Sequence, residues 1–323
     1  MHIFVTGGAG YIGSICVEQM LEAGHAITVF DNLTEGHRAA VDPRAKLVTG
    51  DLQERGQIEQ ALAAARPDAV MHFAANALVG ESMTNPSKYF RNNFYGGINL
   101  LDAMVAAGCK RLVFSSTCAT FGVPEEVPIH EGLAQRPINP YGESKLMFEK
   151  ALRWYDEIHG VKFVALRYFN AAGASAKYGE DHRIETHLIP NILKVALAQK
   201  SHVEIYGTDY PTPDGTCIRD YIHILDLAEA HMLALNAPTS ALYNLGTGGG
   251  TSVREVIAAC EKVTGKKIAV QEKPRRPGDP PRLIASSEKI RAQLGWQPKF
   301  QAIEKIVASA WAWHVAHPQG YGD

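Results

Sequence analysis

The chain of 323 residues has little of several things that would mark other classes of protein. Its five cysteines are scattered and form no C-x-x-C pair, so the sequence predicts neither a disulfide framework nor a zinc site, and no metal is expected. The net charge of −2 gives no sign of a nucleic-acid partner or an anionic membrane. No apolar run approaches the length that crosses a bilayer, and no signal peptide is recognisable. We therefore expect a cytoplasmic protein.

Short apolar runs alternate with helical patterns in the first half of the chain. Nearly continuous apolar strands between helices indicate an α/β fold with a Rossmann-type, doubly wound parallel sheet. The predicted strands are His2–Val5, Ala26–Phe30, Lys46–Val48, Ala69–Phe73, Arg111–Ser115 and Phe163–Arg167, and the predicted helices are Ile12–Ala23, Gln57–Ala65, Lys88–Ala107 and Tyr141–His159.

The pattern changes after about residue 175. Turn-rich segments then alternate with short strands such as Val203–Tyr206 and Ala241–Leu245 and with helices such as Val253–Val263. We expect a dinucleotide-binding domain over residues 1–175. A smaller mixed α/β lobe that binds substrate should follow over residues 176–323, with short segments returning to the first domain.

A glycine-rich turn joins the first strand to the first helix. Gly7, Gly10 and Gly13 have the spacing G-x-x-G-x-x-G, and Tyr11 and Ile12 lie between the last two. Glycines let the backbone approach a pyrophosphate closely, and the helix N-terminus offers N–H groups and a positive dipole end to it. The position of this turn, between a strand and a helix, predicts a dinucleotide site.

Acidic residues follow the second and third strands. Asp31, next to Asn32, lies 24 residues after Gly7, close to the spacing of the carboxylate that binds an adenosine ribose. Such a carboxylate would repel a 2′-phosphate, which favours NAD over NADP. Alternatively, Asp31 only begins an Asx turn. Asp51 and Leu52 come where an adenine ring would lie.

A tyrosine, a lysine and a threonine form the candidate catalytic group. Tyr141 and Lys145 share one face of a predicted helix, and Thr117 follows the fifth strand, where ligands of parallel sheets bind. A tyrosine that acts as a base at neutral pH needs its pKa lowered by about 3 units from about 10. We expect the Lys145 ammonium and a positive nicotinamide ring to supply that shift together. Alone, Tyr-x-x-x-Lys would be a common surface pair.

These residues resemble the extended short-chain dehydrogenase/reductases. Further markers are His72–Ala75, Ser115–Thr117 and Arg167–Asn170. More narrowly, the chain is similar from end to end to the bacterial UDP-glucose 4-epimerases, as shown by the runs Leu78–Ser82, Asp209–Thr216, Ile218–His223, Tyr243–Gly246 and His317–Tyr321.

The resemblance implies a mechanism with tightly bound NAD. Tyr141 takes the proton from the sugar 4-hydroxyl, Thr117 bonds the same oxygen, and Lys145 holds the nicotinamide ribose. Further cofactor contacts implied are Phe73, Ala74, Ala75, Asn93, Ser115 and Tyr168. The implied substrate contacts are Asn170, His187, Leu188, Tyr206, Arg219, Arg276 and Asp279, with the arginines at the diphosphate.

Some positions depart from the family pattern and leave alternatives open. Ala77 replaces a frequent lysine near the cofactor phosphates, Ile15 replaces a frequent histidine, and Leu283 occupies the position that gates the sugar pocket. UDP-N-acetylhexosamines or UDP-uronates are therefore alternative substrates. A 4,6-dehydratase is disfavoured because Cys118 and Ala119 stand where it needs an acidic pair.

Two further expectations concern catalysis and assembly. A non-catalytic NAD-binding regulator is disfavoured because Tyr141, Lys145 and Thr117 are all present. The family pairs the helices Lys88–Ala107 and Tyr141–His159 between subunits, so we expect a homodimer. The alternative is that their apolar residues, such as Leu100, Met104, Met147 and Leu152, pack on the sheet.

Overall fold

The computed structural model describes residues 1–276 and 278–322. Its strands are β1 (His2–Thr6), β2 (Ala26–Asp31), β3 (Lys46–Thr49), β4 (Ala69–His72), β5 (Arg111–Thr117), β6 (Lys162–Tyr168), β7 (Asn170–Ala172), β8 (Val203–Tyr206), β9 (Ile218–Arg219), β10 (Tyr221–His223), β11 (Ala241–Leu245), β12 (Thr251–Ser252), β13 (Val270–Lys273) and β14 (Arg282–Leu283).

The α-helices are distributed between and around these strands. They are α1 (Tyr11–Glu22), α2 (Arg55–Ala65), α3 (Val79–Ser82), α4 (Pro86–Tyr89), α5 (Gly96–Ala106), α6 (Pro140–His159), α7 (Leu188–Ala196), α8 (Ile224–Leu235), α9 (Val253–Thr264), α10 (Glu288–Leu294) and α11 (Ile303–Ala316).

A seven-stranded parallel sheet organises the first domain. Its strand order is β3-β2-β1-β4-β5-β6-β11. The order reverses between β1 and β4, and ligands of doubly wound sheets bind at such a switch point, beyond the carboxyl ends of the strands. The predicted Rossmann-type α/β fold is confirmed, and the six strands predicted in the first half are all present within two residues of the expected bounds.

Helices cover both faces of this sheet, as a parallel sheet with apolar side chains on each face requires. On one face Ile3 and Val5 pack with α1 and α8. On the other, Phe4 and Phe30 pack with α2, α5 and α6, where Phe148 and Leu152 are fully buried. Leu100 and Met104 also belong to this second core.

Two elements from the second half of the chain pack with the first domain. Strand β11 pairs in parallel with β6, and α8 lies against α1. Strand β11, expected in the smaller lobe, is thus an edge strand of the large sheet. A separate core forms between α7, α9 and α11, around Ile192, Val256 and Val307. The division at residues 175 and 176 stays a prediction.

The predicted helix Lys88–Ala107 is not uniform. It consists of α4, a π-helical segment over Phe90–Tyr95, and α5. At Gly97 a β-carbon would lie 2.5 Å from the Phe148 ring, so the glycine allows α5 and α6 to pack closely. Periodicity alone does not distinguish a π turn from an α turn, because the extra residue is set by what the segment contacts.

Two further properties follow from the helices and the cysteines. None of the described helices is long and apolar enough to cross a membrane. The five cysteines are free thiols, and Cys118, directly after β5, is the only one of them that is not fully buried.

A buried ion pair joins α6 to the large sheet. Glu149 and Arg167 are each about 1% exposed, and the Arg167 guanidinium donates two hydrogen bonds of 2.9 and 2.6 Å to the Glu149 carboxylate. Ser116 Oγ donates a third, at 2.6 Å. Ser116 is also in register with Arg167 across β5 and β6. The carboxylate therefore fixes the helix against the ends of two strands.

Removing one charge of this pair should strongly destabilise the fold. Glu149→Gln leaves the Arg167 charge buried without its counterion, which costs about 3–5 kcal/mol. Urea denaturation should show this loss. The matched control is Glu125→Gln, which breaks the exposed ion pair with Arg136 and should cost less than about 1 kcal/mol. Equal effects of the two substitutions would contradict the role of the buried pair.

Candidate functional site

The glycine-rich turn lies at the switch point of the sheet and is closely packed. Gly7 has φ +74°, and a β-carbon there would lie 2.4 Å from the Ala74 amide nitrogen. A β-carbon at Gly13 would lie 2.1 Å from the Gly7 carbonyl oxygen. Any side chain at either position would disrupt the turn. Among the described residues no side chain caps the start of α1, which leaves its first N–H groups for an anion.

A pocket opens beyond this turn. Its lining includes the predicted residues Gly7, Gly10, Asp31, Asn32, Asp51, Leu52, Phe73, Ala74 and Ala75, together with Phe30, Thr34, Glu35, Gly36, Gly50, Asn76 and Asn92, which the sequence analysis did not select. The added residues lie within four positions of predicted ones in the sequence, but only the folded loops show that they line the same pocket.

Asp31 forms an Asx turn and also lines the pocket, so the two interpretations of this residue are compatible. Its carboxylate accepts the Ala9 amide at 3.0 Å and the Leu33 amide at 2.8 Å, and the second bond is an Asx turn. The same carboxylate lines the pocket. Burial raises its pKa, and the two amide hydrogen bonds lower it. Asn32 Nδ2 donates to Asp51 at 3.0 Å, which links the loops after β2 and β3.

The three candidate catalytic side chains come together at the carboxyl end of β5. Thr117 is the last residue of β5, and Tyr141 is the second residue of α6. The N-cap residue of this helix, Asn139, accepts the Gly142 amide at 2.8 Å. The Thr117 side chain lies close enough to the Tyr141 hydroxyl to influence its pKa, and the Thr117 hydroxyl accepts the Ala119 amide at 3.1 Å. Lys145 is buried one turn further along the helix.

Burial dominates the electrostatics of this group. It raises the pKa of Tyr141 to about 12, although the Thr117 side chain opposes the shift. Burial lowers the pKa of Lys145 to about 7, against the attraction of Glu149. The Lys145 Nζ donates to the Ser115 carbonyl at 2.9 Å. The expectation that Lys145 and a positive nicotinamide ring together lower the pKa of Tyr141 stays a prediction.

Several other predicted cofactor residues form hydrogen bonds with protein groups. Ser115 and Tyr168 share a hydroxyl–hydroxyl hydrogen bond across β5 and β6. Asn93 is buried and fully engaged, because its amide bonds both backbone groups of Asn76, at 2.9 and 3.0 Å. It thus fixes a pocket-lining loop. The Tyr11 hydroxyl donates to the Gly173 carbonyl at 2.6 Å, and Ile12 is half-buried beside it in α1.

The predicted anchors for the nucleotide form two contacts in the smaller lobe. Arg219 forms an ion pair with Asp279, and its Nη1 donates to the Ile218 carbonyl at 2.8 Å. The Arg276 guanidinium lies 3.8 Å from the centre of the Tyr206 ring. Tyr206 is half-buried, so it is not a core side chain. These four residues thus form one ion pair and one cation–π contact.

The remaining predicted substrate residues lie at the starts of β7 and α7. Asn170 begins β7 and donates through Nδ2 to the Asp220 carbonyl at 3.2 Å. Leu188 begins α7, and His187 is its N-cap residue. The His187 Nδ1 is already bonded to Glu180, a contact that the sequence did not indicate.

The sequence analysis did not select two buried charged residues, Asp220 and Glu149, that hold parts of the structure around these sites in place. Asp220 is fully buried, and its carboxylate accepts from Thr247, Gly248 and Ala285, which connects β9 with the segment before β12 and the one after β14. Glu149 holds α6 in place. A signal was present for Glu149, which continues the i, i+4 series of Tyr141 and Lys145. The hydrogen-bond partners of Asp220 are too distant in the sequence for these contacts to be inferred from it.

Comparison with known proteins agrees with this geometry. A UDP-glucose 4-epimerase of Streptococcus mutans is 54% identical over 332 residues, which cover 100% of this chain and 99% of that protein. A crystal structure of a UDP-glucose 4-epimerase superimposes with a TM-score of 0.97 at 45% identity, covering 99% of each chain. The enzyme of Bifidobacterium longum, in complex with NAD+ and UDP, gives a TM-score of 0.95 at 38% identity and covers 99% of this chain and 100% of the other.

The family assignment rests on the same part of the chain as the glycine turn and the catalytic group. Residues 3–246 match the NAD dependent epimerase/dehydratase family, and they include the large sheet, the dinucleotide pocket, Thr117, Tyr141 and Lys145. The resemblance inferred from the motifs is confirmed, and the chain belongs to the NAD dependent epimerase/dehydratase family.

Proposed function

We propose that this protein is a UDP-hexose 4-epimerase that interconverts UDP-glucose and UDP-galactose with bound NAD. The observation that carries the proposal is the meeting of the Thr117 and Tyr141 side chains at the end of β5, with Lys145 bonded to Ser115 of the same strand. The names of the most similar relatives support the same activity. Cys118 and Ala119 offer no acid–base pair for a dehydratase.

The proposed cycle uses Tyr141 as the proton carrier. The Tyr141 oxygen takes the proton of the sugar 4-hydroxyl and later returns it to the 4-keto oxygen, while Thr117 donates a hydrogen bond to that oxygen. Lys145, held by the Ser115 carbonyl, binds the nicotinamide ribose. When bound, NAD supplies the reversible oxidation of C4 and a positive charge that lowers the pKa of Tyr141.

The nucleotide end is proposed to bind tightly so that the hexose can rotate between two half-reactions. Arg219 and Arg276 are assigned to the diphosphate, where planar guanidinium groups give paired donors. Asp279 is assigned to the uridine ribose and Tyr206 to the base. In support, Asp279 and Arg276 flank one turn, in which the Asp279 amide donates to the Arg276 carbonyl at 3.2 Å. Asn170 is assigned to the substrate phosphates, and Leu188 is assigned to a contact with the substrate.

Replacing the proton carrier should abolish turnover and leave the fold intact. Tyr141→Phe should lower kcat for UDP-galactose by about 10²–10⁴-fold, the usual contribution of a general acid–base group. A coupled assay of UDP-glucose, run without added NAD, measures this. The control is Tyr155→Phe on the same helix, whose hydroxyl bonds Asp102 instead. A Tyr141→Phe variant as active as the control would refute the assignment.

The side chain at position 283 favours 2-acetamido sugars as a second class of substrate. Leu283 is half-buried in β14, in register with Arg219, and packs in the same apolar cluster as Cys118, the residue after Thr117. The resemblance implies that a tyrosine there closes the sugar pocket and a small residue opens it. Leucine is intermediate between the two. UDP-uronates remain an alternative that would need a cation near C6.

Changing the volume at this position should change substrate preference. Leu283→Ser should raise kcat/KM for UDP-N-acetylglucosamine relative to UDP-glucose by about 10-fold, and Leu283→Tyr should lower the ratio, because one or two carbon groups in an apolar pocket are worth about 1–3 kcal/mol. Leu133→Ser, in the same cluster, is the control. An unchanged ratio in both Leu283 variants would show that the residue does not contact the sugar.

We also propose that two copies pair through α5 and α6. The residues that the sequence suggested for this contact do not support it, because Leu100, Met104 and Leu152 are buried in the core of the subunit. Other apolar side chains on the same segments are exposed instead: Trp154 by 61% and Ile158 by 66%, one turn apart on α6. Tyr95, before α5, is 50% exposed.

Charges placed on this surface should separate the two copies. The double substitution Trp154→Glu and Ile158→Glu should change the mass measured by light scattering at micromolar concentration from that of two chains to that of one. The control is Val315→Glu, on α11, which is 51% exposed and outside the proposed contact. A single-chain mass for the unsubstituted protein would rule out this assembly.

A further inference from the structure

Two histidines and two glutamates converge in the loop between β7 and α7. Glu180, His182, Glu185 and His187 each offer one ligand atom, and these atoms all lie within 4.8 Å of one another. The segment is polar and looks like an ordinary surface loop in the sequence. Because this segment contains no cysteine, the spacing of the cysteines could not predict a metal site here.

The distances between the donor atoms suit one small ion. His182 Nδ1 lies 3.3 Å from Glu185 Oε2 and 3.5 Å from Glu180 Oε1. His187 Nδ1 lies 3.6 Å from Glu185 Oε1 and closer to Glu180. A tetrahedral ion with ligands at about 2.0–2.2 Å would hold its donors about 3.3–3.6 Å apart. The pair Glu180–His187 would need to separate slightly, and any donor pair near the 4.8 Å limit would need to move closer.

Burial gives the second argument for a cation. The side chains of Glu180 and Glu185 are 4% and 5% exposed, so two carboxylates are held together with little contact with water. Such a pair is costly without a positive charge between its members. Nearby on α11, His314 is buried, interacts electrostatically with both glutamates, and has an Nε2 without a hydrogen-bond partner among the described residues.

We propose that Glu180, His182, Glu185 and His187 bind one divalent transition-metal ion, with Zn2+ as the first candidate. Two imidazole nitrogens and two carboxylate oxygens suit Zn2+, whereas Mg2+ and Ca2+ prefer oxygen ligands alone. The role of the ion would be structural, because four protein ligands complete a tetrahedral site and leave no open position.

The position of the site connects it with the dinucleotide turn. The His182 ring lies 6.1 Å from the ring of Tyr11, edge to face, and Tyr11 belongs to the glycine-rich turn. His187 is the residue that caps α7, directly before Leu188. An ion at this site would therefore hold the start of α7 against the dinucleotide turn, and it would use the His187 side chain that the family resemblance assigned to the nucleotide.

Metal content tests the proposal without reference to catalysis. The full-length protein is equilibrated with Zn2+, passed through a desalting column, and analysed by mass spectrometry of the elements. We expect about one Zn2+ per chain, and none of the added Mg2+ in a parallel sample. His182→Asn and His187→Asn should each weaken Zn2+ binding by at least about 10-fold. Loss of a residue that only supports a metal ligand already costs about that much affinity, and these residues would be ligands themselves.

The matched control is His130→Asn. His130 is exposed and bonds Glu126 at 2.8 Å, so it is a histidine–glutamate pair outside the cluster, and its loss should leave Zn2+ binding unchanged. Thermal unfolding with Zn2+ and with a chelator adds a second readout: Zn2+ should raise Tm for the unsubstituted protein and for His130→Asn only. Binding of less than a tenth of an equivalent, or equal binding by His187→Asn, would show that the cluster is a network of ion pairs instead.

Discussion

The buried pair Glu149–Arg167 is the contact on which the catalytic geometry depends. Helix α6 carries Tyr141 and Lys145, and strand β5 carries Thr117, so the two elements must keep a fixed relation for these side chains to meet. The carboxylate of Glu149 bonds Arg167 on β6 and Ser116 on β5 at once. Because charges this deeply buried tolerate few other arrangements, the pair fixes the helix in one position along the sheet.

The same helix shows how burial and function oppose each other. Helix α6 sits against the end of the sheet, and this position buries both Tyr141 and Lys145. Burial disfavours both charged forms, as the raised pKa of the tyrosine and the lowered pKa of the lysine show. In the proposed cycle, the positive charge of bound NAD offsets this effect at Tyr141, which would couple the readiness of the base to the presence of NAD.

The second lobe depends on contacts between segments that are far apart in the chain. Strand β9 lies between β12 and β14, and this brings Arg219 beside Leu283. The buried carboxylate of Asp220 holds the adjoining loops through backbone amides. The proposed metal cluster would do the same for the loop before α7. The large sheet thus positions the dinucleotide pocket, while polar side chains position the loops to which the substrate contacts are assigned.

The sequence by itself determined the large sheet, the glycine turn and the spacing of Tyr141 and Lys145. Each of these is local: apolar periodicity, the steric freedom of glycine and the pitch of a helix act over a few residues. The tertiary structure alone decided that Leu100 and Met104 are buried while Trp154 is exposed, that Phe90–Tyr95 forms a π segment, and that Lys145 points to Ser115. It also decided that Glu180 and His187 meet. These outcomes depend on burial and on partners from other segments, which a local pattern does not contain.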